Sequence, residues 1–179
     1  MPTLRPADPD DAEELGHVRH AAWLWAYRGQ VSEQHLAELS PLRERLAWLE
    51  WFSQPSSPSI TKEAWVAVHG GRIVGFTTHQ VLRDPIVLAE LTEIYVRPDV
   101  IRAGVGRALM NNAVDRMAQV GATDLVVRVL EGNVRAHRFY EALGWSRVRQ
   151  FKKPYRLGEA GSVTVVQYER RLSPPTEPG

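Results

Sequence analysis

Between Glu90 and Arg107 the chain reads ELTEIYVRPDVIRAGVGR, an apolar strand that halts at a proline and passes into a glycine-containing helix start. A helix that begins just after a strand aims several unpaired backbone N–H groups at one spot, and such a spot binds phosphate. Gly104 and Gly106 keep that spot clear of side chains, so an anionic ligand can reach the main chain. The segment Leu125 to Trp145, LVVRVLEGNVRAHRFYEALGW, repeats the strand-then-helix layout. The middle of the chain is thereby committed to a parallel step, and the rest must be arranged around it.

The flanks read as follows. Thr3 to Pro6 form a short strand, and Asp8 or Asp10 caps a helix through Ala12–Tyr27. Leu15, Val18, Ala22 and Trp25 recur there at helical spacing, with Trp23 and Tyr27 as a neighbouring stripe and Gly29 as the stop. Ser32 opens a short helical stretch, and Pro41 begins another through Phe52, with Leu42, Leu46, Leu49 and Phe52 on one side. A serine- and proline-rich loop, Ser53 to Ser59, precedes strand character from about Ala64. Trp65 to Val68, a Gly70-Gly71 turn and Ile73 to Val81 make a hairpin, and Leu88 to Val96 is the next strand. A helix from about Gly104 to Gly121 turns Leu109, Ala113, Met117 and Val120 inward. Leu125–Leu130 is a strand, and Asn133–Leu143 is a helix stopped by Gly144. Ser146–Tyr155 and Ser162–Arg171 close an antiparallel pair, and the proline-rich tail 173–179 reads as disordered. The predicted fold is a single α+β domain over residues 1–172, a mixed, mostly antiparallel sheet of about seven strands flanked by helices.

Dinucleotide and P-loop readings fail. The first needs its glycines after the first strand in G-x-G-x-x-G spacing, and the second needs Gly-Lys-Ser/Thr; neither is present. A formal net charge of +1 gives no electrostatic case for nucleic acid. No apolar run is long enough for a membrane span and no signal peptide is evident, so the expected compartment is the cytoplasm. The chain has no cysteine, which excludes disulfides, thiolate metal sites and a cysteine nucleophile; no ligand cluster with metal spacing appears either. Its cations are mostly arginine, suited to phosphate. Arg97, Arg102 and Arg107 flank the glycines and Arg135 and Arg138 lie on the second helix, whereas Arg116, Arg147 and Arg149 read as solvated surface charge.

The pattern resembles the GNAT superfamily of acyl-CoA-dependent N-acyltransferases over nearly all of residues 1 to about 172. VRPDVIRAGVGRAL (Val96 to Leu109) and LEGNVRAHRFYEALGW (Leu130 to Trp145) carry the resemblance most specifically. The family's Q/R-x-x-G-x-G/A loop falls on Ile101, Arg102, Ala103, Gly104, Val105 and Gly106, with isoleucine departing from the pattern at the first position. The resemblance implies a sheet splayed between the fourth and fifth strands. Acetyl-CoA enters that gap as co-substrate, its pantetheine pairing with main-chain groups of Ile94, Tyr95 and Val96. Its pyrophosphate sits on Arg102 to Arg107, and Asn133, Ala136 and Phe139 complete the cofactor side.

An alkyl amine keeps its proton up to a pH of about 10 and must lose it before attacking a thioester. A carboxylate, often through water, can take it. Glu90 matches the position of a catalytic glutamate in several GNAT families and is the preferred base, with Glu93 second. Being three residues apart on a strand, the two are expected on opposite faces, only one of them in the cleft; each could instead simply pair with an arginine. In the family, a tyrosine at the position of Tyr140 protonates the departing thiolate; otherwise Tyr140 is a core tyrosine packed by Phe139 and Leu143. Asn133 is a helix N-cap, and His137 reads as solvated. Trp23 and Tyr27 are candidates for the acceptor side, whereas Trp48 and Trp51 read as core. Arg128 stands where ribosomal-protein N-terminal acetyltransferases tend to carry glutamate. The predicted activity is direct transfer of acetyl to an amine of a small molecule, a lysine or a peptide N-terminus. The alternative is a non-catalytic acyl-CoA-binding domain; a homodimer through the C-terminal elements is a further expectation.

Overall fold

In the computed structural model, which describes residues 2–29, 39–55, 57–83, 87–154 and 162–172, the chain runs β1 (Thr3–Pro6), α1 (Ala12–Ala26), α2 (Pro41–Ser53), β2 (Ile60–His69), β3 (Arg72–Arg83), β4 (Val87–Val96), α3 (Val105–Gln119), β5 (Asp124–Leu130), α4 (Val134–Glu141), β6 (Ser146–Pro154) and β7 (Ser162–Arg171). The expected stretch from Ser32, Tyr155 and the tail 173–179 lie outside the described residues. The strands form one sheet in the order β1-β2-β3-β4-β5-β7-β6, antiparallel throughout except for β4 beside β5. The Gly70-Gly71 turn has positive φ at both residues, 59° and 76°, which is the mirror-image geometry a tight hairpin requires. Strand β2 begins four residues earlier than the sequence suggested, because Ile60 and Thr61 pair with Leu82 and Val81.

Helices cover both faces. On one, α3 and the end of α4 bury Met110, Met117, Tyr140 and Trp145 against Leu91, Leu125, Val127 and Tyr168. On the other, α1 and α2 bury Leu15, Val18 and Trp48 against Val66 and Phe76. The two helices of this second layer approach so closely that a Cβ on Gly16 would stand 2.9 Å from the Arg45 nitrogen. Two helix-face expectations need correction here. Leu42, Leu46 and Leu49 are 61%, 55% and 37% exposed, and the inward stripe of α2 is Trp48, Trp51 and Phe52. Aromatic rings bury more area than leucines, and Trp48 meets Phe76 edge-on at 5.0 Å. On α1, Leu15, Val18 and Ala22 are buried but Trp25 is 40% exposed and lies 4.0 Å from the Arg135 guanidinium.

Candidate active site

The parallel pairing of β4 with β5 runs only from Leu88↔Asp124 to Leu91↔Val127. Beyond it, β4 stays on β3 through Val96↔Gly75, while β5 continues against β7 to Leu130↔Val165. The two strands diverge, and the backbone edge of β4 from Glu93 to Val96 faces a cleft of about 1700 Å³. Such an edge offers N–H and C=O groups to any extended ligand that lies along it.

Where the strands part, β4 carries a bulge. Thr78 pairs with Glu93 and His79 with Leu91, so Thr92 is an extra residue, its hydroxyl 2.6 Å from that of Thr78. This overturns the expectation that Glu90 and Glu93 face opposite sides. On unbulged β3, residues Phe76, Thr78 and Gln80 share one face, and their partners on β4 are Tyr95, Glu93 and Glu90. Both glutamates therefore look toward the α1 side, and both line the cleft. Period-two alternation fails across an inserted residue.

Their surroundings differ. Glu93 pairs with Arg19 of α1, whose other terminal nitrogen is 3.0 Å from Glu44 of α2. Burial raises the Glu93 carboxyl above its ordinary value, with the Glu44 charge adding to the rise and Arg19 opposing it. Burial alone would lower Arg19, but the two carboxylates hold it above its usual value. Glu90 has one oxygen on Arg128 of β5 and the other 3.1 Å from Gln80 Nε2. Arg19, Arg128 and Gln80 were absent from the sequence-derived site. They reach the glutamates from other elements, and no local spacing announces them.

At the far end of the cleft, Gly104 is the N-cap of α3 with φ +81° and no side chain to bond the first N–H groups. Arg102, two residues earlier, also has positive φ, 72°, a conformation costing a non-glycine residue roughly 1–2 kcal/mol. Gly104 is required by its backbone angle. Gly106 is different: an added Cβ would make ordinary contacts of 3.5 Å with Phe139 and 3.6 Å with Val96. Arg102, Arg107 and Arg138 line this end and have no carboxylate partner among the described residues, whereas Arg97 pairs with Asp99 at 3.0 Å. Unpaired arginines beside open N–H groups fit a pyrophosphate. Ile101 also lines the cleft, while Val105 is buried in the core and Ala103 donates its N–H to the Val100 carbonyl.

Helix α4 forms the opposite wall. Asn133 caps it through Ala136 N–H at 3.1 Å, and Asn133, Ala136, Phe139 and Tyr140 all line the cleft. Tyr140 is 4% exposed, and burial raises its phenol well above the ordinary value, so it carries its proton. His137 points away from the cleft site: its ring nitrogens lie 3.0 Å from Tyr168 Oη and 2.9 Å from the Glu131 carbonyl. Arg116 and Arg149, expected as plain surface charge, bond Glu63 and Gln167.

Helix α1 closes the near end. The Trp23 and Tyr27 rings lie 4.4 Å apart, tilted by 49°, and Asn133 Nδ2 approaches Tyr27 Oη at 3.5 Å. Ile94 and Val96 turn their side chains to the α3 side and Tyr95 to the α1 side, leaving the backbone of all three along the cleft. Trp48 is core, as expected; Trp51 packs partly buried against the same core, as expected, and also lines the cleft beside Lys62. No group of three or more histidines or acids that could hold a metal occurs among the described residues, and no helix there is long and apolar enough to cross a membrane.

Comparison with known proteins agrees with this geometry. An uncharacterized N-acetyltransferase of Mycobacterium tuberculosis is 29% identical over 136 residues, covering 75% of this chain and 83% of that protein. The [ribosomal protein bS18]-alanine N-acetyltransferase of Escherichia coli is 36% identical over 76 residues, 42% of this chain and 49% of its own length. The crystal structure of the PaiA N-acetyltransferase of Thermoplasma acidophilum in complex with coenzyme A superposes with a TM-score of 0.72 at 20% identity, covering 96% of this chain and 99% of that one. At that identity the likeness shows the fold. The model of the acetyltransferase (GNAT) family matches residues 17–145, well over half the chain. The chain belongs to the acetyltransferase (GNAT) family, and it is an acyltransferase.

Proposed function

We propose that residues 1–172 act as one catalytic domain that moves the acetyl group of acetyl-CoA directly to a primary amine while both substrates occupy the cleft. The observation carrying this reading is the break in β4–β5 pairing after Leu91, which opens one cleft onto the first turn of α3, two carboxylates and Tyr140. The N–H groups of Gly104 to Arg107, with Arg102 and Arg107, hold the pyrophosphate. The β4 edge from Ile94 to Val96 pairs with the pantetheine, and Asn133, Ala136 and Phe139 flank it from α4.

Glu93 is the better proton acceptor of the two glutamates. Glu44, Arg19 and Glu93 together carry one net negative charge, so a proton arriving on Glu93 leaves the trio neutral. Glu90 and Arg128 are already neutral as a pair. Glu93 thus draws the amine proton, directly or through water. The free amine attacks the thioester carbonyl, and a main-chain N–H near Ile94 holds the oxyanion. As the C–S bond breaks, Tyr140 donates its proton to the leaving sulfur, and the second proton shed by the attacking nitrogen, passed on through water, restores the phenol. Glu90 and Arg128 shape the acceptor side, with Trp23 and Tyr27 on its wall.

The test is acetyl-CoA-dependent thiol release over a panel of amines and peptides. Because the chain has no cysteine, a thiol reagent reads released CoA alone. Amine-dependent release with an N-acetylated product is expected. CoA binding without release for any amine would replace this reading with a non-catalytic acyl-CoA-binding domain.

A further inference from the structure

The cations lining the acceptor side are not all paired with carboxylates. Arg19 pairs with Glu44 and Glu93, and Arg128 with Glu90. Two lysines lining the same cleft, Lys62 and Lys153, have no carboxylate partner among the described residues. Lys62 is held by side-chain and main-chain contacts. Its ammonium lies 4.4 Å from the Trp51 ring centroid and donates to the Trp51 carbonyl and to Gln54 Oε1 at 3.2 Å. An ammonium has three donors, so one remains for a ligand.

Lys62 also stands in register with the catalytic strand: it pairs with Gln80, and Gln80 pairs with Glu90. Two strand spacings, roughly 10 Å, separate the Lys62 and Glu90 backbones. The glutamates attract an ammonium at one end of this row, and the Lys62 ammonium, which has no carboxylate partner among the described residues, stands at the other. Resting on the function proposed above, we propose that the acceptor is an amino carboxylate, with Lys62 receiving its carboxylate while the amine reaches Glu93. A single free donor with one charge suits a carboxylate; a phosphate dianion would call for a cluster of cations such as the arginines at the α3 end.

The test uses ω-amino carboxylates from glycine and β-alanine to longer homologues, each beside its own carboxamide, with a linear polyamine as a further acceptor. For the best chain length, wild type should favour the acid over the amide by roughly tenfold or more in kcat/KM, the value of one charge-assisted hydrogen bond. Glycine-length spacers and the polyamine should be poorer. Lys62→Met keeps the stem against Trp51 and should bring the acid-to-amide ratio toward one, while Lys62→Arg should retain the preference. An acid-to-amide ratio at or below one in wild type overturns the inference, as does a Lys62→Met ratio equal to wild type. Turnover of amides and polyamines alone would overturn it while leaving the acetyltransferase reading standing. No turnover of any amine would overturn both.

Discussion

Replacing Glu93 by glutamine removes the proposed base and little else. The amide oxygen still accepts from Arg19, and Arg19 keeps Glu44 at 3.0 Å. Stability should therefore stay within about 1 kcal/mol of wild type, no more than a few degrees in Tm. General-base catalysis is worth about 10²–10⁴ in rate, so kcat/KM for the amine should fall by that factor, about 2.7–5.4 kcal/mol of barrier. Acetyl-CoA affinity should change little, because the α3 end of the cleft is untouched. The pH profile supplies a second readout. Burial raises the Glu93 carboxyl, so the acid limb of wild-type kcat/KM should lie above the ordinary glutamate value of about 4.3 and vanish in Glu93→Gln. Glu90→Gln is the control. It strips Arg128 of its carboxylate, costs about 1–2 kcal/mol of stability in this partly buried setting, and lowers the rate less than Glu93→Gln does. Thiol release read against pH for the three proteins decides the matter. Near-wild-type turnover in Glu93→Gln, with the large loss in Glu90→Gln, would refute the charge argument and return the role to Glu90.

Other residues give independent tests. Tyr140→Phe should lower kcat with little change in acetyl-CoA affinity, and unchanged single-turnover rates would retire Tyr140 as the acid. Gly104→Ala forces a side chain into φ +81°, so it should cost about 1–2 kcal/mol of stability and weaken CoA binding measured by calorimetry. Asp11 opposes a burial penalty with bonds from Arg5 at 2.6 and 2.7 Å and from the Asp8 N–H, and its pKa ends below the ordinary value. Its stabilisation is therefore complete above the unfolded value of about 3.9 and is lost as pH falls through the folded one. Asp11→Asn should cost about 1 kcal/mol at neutral pH, with denaturant midpoints converging with wild type in acid.

The fold was largely legible because its signals are local. Pro98 stops β4, the Gly70-Gly71 pair turns the hairpin, and Gly144 with φ +79° ends the last helical segment. The strand-to-helix junctions that carry the phosphate end were readable for the same reason. What escaped depends on partners distant in sequence. Thr92 looks like any strand residue, yet its insertion against Thr78 and His79 brings Glu90 and Glu93 to one face. Arg19 lies 74 residues from Glu93 and Arg128 lies 38 from Glu90, so neither pairing could be read from spacing. On α2, helical periodicity offered both a leucine stripe and an aromatic stripe, and only packing on Phe76 selects the aromatic one.

Direct transfer within one cleft is the central claim, and initial rates with acetyl-CoA and the amine both varied test it most directly. A chain without cysteine and with both substrates in one cleft predicts intersecting double-reciprocal lines and no acetylated protein by mass spectrometry. Parallel lines, together with an acetyl group carried on the protein in the absence of amine, would contradict it.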